Sequence, residues 1–83
     1  MVKIPRDISG VELARLLSKY KYKVVRQTGS HIRLVSDFKK IEHKITIPAH
    51  KHIKIGTLNN ILTNISEYLG MSKQELVKEL FRK

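Results

Sequence analysis

Cysteine is absent from this sequence, acids are scarce, and no apolar run is long. Without cysteine there is no disulfide framework and no thiolate nucleophile, and a reducing cytoplasm is the default expectation. No stretch approaches the roughly 18 apolar residues of a membrane span, so no membrane partner is expected. The opening segment MVKIPRDISG lacks the apolar block of a signal peptide. Seven acids, Asp7, Glu12, Asp37, Glu42, Glu67, Glu75 and Glu79, are all the chain has. Several fall in helix caps or in a charged loop, which leaves little for paired-carboxylate catalysis or a carboxylate metal cage. No Gly-rich phosphate loop of the Walker or dinucleotide type is present.

What is there is positive charge. Lys and Arg number 17, and the formal net charge is +10 over 83 residues. The distribution is uneven. Leu13 to Ser36 contains no acid but carries Arg15, Lys19, Lys21, Lys23, Arg26 and Arg33. His43 to Ser66 is also free of acid and carries Lys44, Lys51 and Lys54. Such a field attracts polyanions, of which nucleic acid is the commonest. At 41% apolar and 29% charged the chain is globular in composition, and its length suits one small domain over residues 1–83 with little core to spare.

Ser9-Gly10-Val11-Glu12 has the form of a capping box. The apolar stripe after it predicts a helix from about Val11 to Tyr20, with no glycine to stop it. YKVVRQT and HIRLVS are short and β-branched, and Gly29-Ser30 between them predicts a hairpin. HKITIP is a third strand closed by Pro48, which cannot donate to a ladder. Leu58, Ile61, Leu62, Ile65 and Leu69 recur at helical spacing, with Gly70 as the stop. Ser72 to Glu75 forms a second capping box, opening a last helix. The order α-β-β-β-α-α predicts an α+β fold: a three-stranded antiparallel sheet with helices on one face and the other face open.

Alternation assigns the faces. Ile32, Leu34, Ile45 and Ile47 point to the core; His31, Arg33, Val35, Lys44 and Thr46 point to the open side. The first strand is ambiguous by one residue, because Val24 and Val25 are both apolar. His31 thus projects from a basic open face, and imidazole can exchange a proton near neutral pH. RNA brings its own nucleophile, the 2′-hydroxyl, so a histidine among cations can serve part of a cleavage reaction with no cofactor. On these residues alone a purely structural role for His31 stays open. His43 reads as structural, and His50 and His52 either as part of a solvated basic loop or as phosphate contacts. The His50-x-His52 pair supports no specific metal site.

Arg26 and Arg33 are either phosphate contacts or solvated strand residues. Lys44 is a further cation across the sheet. Gly29 allows a tight turn and a left-handed backbone where one is needed. Ser30 either holds that turn or donates to a phosphate. Lys51 and Lys54 precede a helix start whose N–H groups suit a phosphate, although Gly56-Thr57 also reads as ordinary helix initiation.

VVRQTGSHIRL, ITIPAH and IKIGTLNNIL occur in this order, and together they resemble the HicA family of toxins from toxin–antitoxin pairs. That resemblance implies a double-stranded-RNA-binding-like fold, messenger-RNA cleavage without a known metal, and control by a HicB-type antitoxin. It also implies that His31 is the catalytic residue. Two features depart from the family pattern. Tyr20-Lys21-Tyr22 stands where members often have Gly-Phe, and TNISEYLGMS is longer than usual. The rival readings are a non-catalytic RNA-binding module of the same architecture, which needs no catalytic histidine, and a DNA-binding regulator, for which no recognition-helix pattern is visible.

Overall fold

A computed structural model describes residues 4–81. Its elements are α1 (Gly10–Leu17), a single 3-10 turn (Ser18–Tyr20), β1 (Lys23–Thr28), β2 (His31–Ser36), β3 (His43–Pro48), α2 (Ile55–Leu69) and α3 (Lys73–Phe81). The strands form one antiparallel sheet in the order β1-β2-β3. The helices lie on one face, an α+β arrangement consistent with a double-stranded-RNA-binding-like fold.

The capping box forms as the sequence requires. Ser9 Oγ accepts from the Glu12 N–H at 3.1 Å and the Glu12 carboxylate accepts from the Ser9 N–H at 3.3 Å. The helix that follows is shorter than predicted. It tightens after Leu17 into the 3-10 turn and ends at Lys21, whose φ of 64° is left-handed. Glycine is the usual residue for that backbone, and here a lysine adopts it. The conformation is kept because Tyr22, next in the chain, is 2% exposed and anchored in the core. Gly70 ends α2 in the same left-handed way, here at no steric cost. The second capping box is half formed. Ser72 Oγ caps the Glu75 N–H, but the Glu75 carboxylate accepts from the Ser72 hydroxyl, not from its backbone.

Leu13 and Leu17 of α1, Leu58, Leu62, Ile65 and Leu69 of α2, and Leu76, Val77 and Leu80 of α3 meet Ile32, Leu34, Ile45 and Ile47 of the sheet in one core. Each fully buried aliphatic side chain contributes about 1.5–3 kcal/mol relative to exposure. Helices α1 and α2 pack against β3, and α3 packs on α2. Strand β1 is left as an edge whose residues are all exposed. At Gly10 the start of α1 presses so closely on the end of β3 that an added Cβ would collide with the Pro48 carbonyl oxygen. Pro48 pairs with His31, so the same contact fixes the end of the sheet that carries the candidate site.

Candidate functional site

Strand β2 presents alternate faces as predicted: Ile32 and Leu34 are buried, His31 and Arg33 exposed. Across the ladder Arg33 pairs with Thr46, and His31 with Pro48. Strand β1 resolves the ambiguity of Val24 and Val25 with a bulge. Val24 pairs with Leu34 but Arg26 pairs with Arg33, so Val25 is the extra residue. The reason lies in the spacing. Tyr22 must face the core and Arg26 must not, yet they are four residues apart, and strict alternation would put them on one side. The bulge turns Val25 and Arg26 both outward and returns Gln27 to the helix side, where it pairs with Ile32. Thr28 then pairs with His31 and also faces out.

The result is an open groove of about 500 Å³ walled by Arg26, Thr28, His31, Arg33 and Thr46. Two guanidinium groups, two hydroxyls and one imidazole converge there, and no carboxylate lines it. Ser30 stands behind the imidazole, with Oγ 3.2 Å from His31 Nδ1. Its own backbone is tied down, since the Ser30 carbonyl accepts from the Ala49 N–H at 2.9 Å. Nδ1 meets the turn hydroxyl, and the imidazole lines the groove. Gly29 does not adopt a left-handed backbone, and a Cβ there would meet nothing within 4 Å. The hairpin turn therefore uses neither property that glycine offers.

Not every predicted contact gathers here. Lys44 lies on the open face but at the far end, opposite Val35 and 4.0 Å from Glu42. Lys51 is exposed in the β3–α2 loop, and Lys54 is the N-cap of α2; both are outside the groove. So are His50 and His52. Among the described residues, no group of three or more His, Asp or Glu side chains is placed to hold a metal ion. Sequence reasoning overlooked Thr28. The signal for it was the conflict between Tyr22 and Arg26, which demands an extra residue in β1 and so fixes which way Thr28 points.

His43 has different surroundings. Its ring stacks on Tyr68 with centroids 4.5 Å apart and planes 14° apart, and Tyr22 Oη lies 2.6 Å from its Nδ1. Burial, and secondarily Tyr68, raise the Tyr22 phenol well above its ordinary value. At neutral pH the phenol therefore keeps its proton, and it shares a hydrogen bond with His43 Nδ1. Tyr68 in turn donates to the Ile41 carbonyl at 2.6 Å and accepts from the Lys39 N–H at 2.9 Å. This cluster binds the charged β2–β3 connection to the sheet.

A basic, open, three-stranded sheet backed by helices, with one histidine set between arginines, defines a small α+β protein with a cationic open face. The chain matches the family model described as HicA toxin of bacterial toxin–antitoxin systems over residues 10–66. It belongs to the HicA toxin family, and as a toxin of such a system it has an antitoxin as partner. No curated protein and no solved structure gives a significant match to it. The matched segment runs from the first residue of α1 into the last turn of α2 and contains every wall of the groove. Among the described residues no helix is long and apolar enough to cross a membrane.

Proposed function

We propose that this toxin is a metal-independent endoribonuclease that cleaves messenger RNA in the cytoplasm, with His31 as its acid–base group and a HicB-type antitoxin as its inhibitor. The observation that carries the reading is the groove itself: an exposed imidazole between Arg26 and Arg33, on a sheet face that no helix covers. In this mechanism the two guanidinium groups hold the scissile phosphate and offset the charge that builds on it. The Nε2 atom of His31 takes the proton of the ribose 2′-hydroxyl as that oxygen attacks phosphorus. The bond to the 5′-oxygen breaks, and water in the open groove can protonate it. Thr28 and Thr46 are placed to hydrogen-bond phosphate or ribose oxygens. Lys44, Lys51 and Lys54 add long-range attraction outside the groove, while Ser30 holds the turn behind the histidine.

The products of this chemistry are a 2′,3′-cyclic phosphate and a 5′-hydroxyl, formed equally well with a chelator present. His31→Ala should lower cleavage and growth arrest at least about a hundredfold, the scale of lost acid–base help, with an unchanged circular dichroism spectrum. Chelator-sensitive cutting that leaves 5′-phosphates would replace the mechanism with metal-activated water. Tight RNA binding without cutting, equal in wild type and His31→Ala, would identify a non-catalytic RNA-binding module.

A further inference from the structure

An antitoxin must hold this protein tightly, and the His31 groove is poorly suited to do so alone. Its walls are arginine, threonine and histidine, with no aliphatic side chain among them. Stable protein–protein interfaces draw their affinity from a desolvated apolar centre with polar groups around it. Such a centre exists on the other face of the same edge strand. Between α1 and β1 runs a second groove of about 330 Å³, in which Ala14, Tyr22 and Ile32 lie between Val11 and Val24, with Arg15 beside them. Val11 is 53% and Val24 50% exposed, although both are aliphatic.

Strand β1 is the wall that the two grooves share. Val24 and Gln27 line the apolar groove, whereas Arg26 and Thr28 line the cationic one. The bulge at Val25 makes this division possible. We infer that the antitoxin grips β1 from both faces: it seats an apolar side chain between Val11 and Val24, and it passes over the edge of the strand to bring acidic residues to Arg26.

Two other occupants fit poorly. An RNA strand gains little from an apolar groove. A second copy of this chain would bring one net charge of +10 against another. An acidic protein with an exposed apolar side chain satisfies both faces, because no acid lines either groove and Arg15, Arg26 and Arg33 do. Charge would speed its arrival and apolar burial would slow its departure.

The inference rests on membership of the toxin family and not on the ribonuclease reading, and a binding measurement can succeed or fail whatever chemistry His31 performs. Titration calorimetry with the purified cognate antitoxin should show Val11→Asp and Val24→Asp each weakened at least about thirtyfold, the scale of losing an interface hot spot. Gln74→Asp, on the exposed side of α3, should bind as wild type does. Without antitoxin, the RNA cleavage of all three should match wild type. Hydrogen exchange of the wild-type complex gives a reading that does not depend on the variants folding, with protection expected across residues 11–18 and 22–27. Wild-type affinity in both valine variants, or protection confined to residues 58–81, would overturn the proposal. Self-association of the toxin alone, abolished by Val24→Asp, would assign the groove to a second copy and overturn it as well.

Discussion

His31 and His43 begin consecutive strands and end up at opposite ends of one sheet, the first paired with Pro48 and the second with Ser36. His43 is held by the protein: one ring nitrogen shares a hydrogen bond with the Tyr22 phenol, and Tyr68 stacks on its face. His31 has a serine hydroxyl behind it and an open cationic groove in front. The residue type and the strand position are the same, but the neighbours differ. An imidazole packed between two tyrosines contributes to stability, whereas one that lines an open groove is available to a ligand.

The sharpest way to break this contrast is to remove each ring in turn. His43→Ala should cost about 2–3 kcal/mol, from lost stacking, a lost hydrogen bond and a buried phenol left without its partner. Cleavage per folded molecule should hardly change. His31→Ala should leave the denaturant midpoint nearly where it was. Urea titrations beside activity assays decide the matter, and equal stability losses at the two sites would erase the distinction. Tyr22→Phe probes the same cluster more gently, at about 1 kcal/mol, and has a pH signature. The Tyr22 phenol is raised in the folded state, so its contribution is complete below the ordinary tyrosine value near 10 and is lost as pH rises beyond it. Wild-type stability should therefore fall in that alkaline range, and Tyr22→Phe should flatten the fall.

The His31 end can be sharpened through its arginines. Arg26→Ala and Arg33→Ala should each weaken RNA binding about tenfold and lower the slope of log affinity against log salt by about 1. Lys44→Ala, at the other end of the face, should leave the affinity within about twofold. Equal effects at all three positions would indicate a diffuse basic surface in place of a defined groove. The smallest effect is expected at Lys21→Gly, which relieves a left-handed lysine just before β1. Thermal melts should show a gain of about 0.5–1 kcal/mol, the steric relief less the entropy of a freer unfolded chain.

Much of this was legible in the residues. The element order, the hairpin, the limits of the third strand and the stop at Gly70 follow from periodicity, turn chemistry and caps, which are local. The outward position of His31 and Arg33 follows from alternation along β2. The end of α1 was not legible, because a left-handed lysine is held by the burial of Tyr22 against residues distant in the chain. Thr28 escaped for a related reason: a bulge belongs to a pair of strands, and one strand read alone does not show it.

The sequence by itself determined a basic α+β chain of the HicA pattern and put His31 on the open side of its sheet. Only the tertiary structure decided which cations stand beside that histidine. Arg26 and Arg33 meet because register and bulge are set where strands pair. Lys44, Lys51 and Lys54 are left outside because the same pairing carries them elsewhere. It also decided that Tyr22 and Tyr68 enclose His43. Charge and periodicity are properties of the chain, but a site is a set of distances across it, and those are fixed only when the core closes.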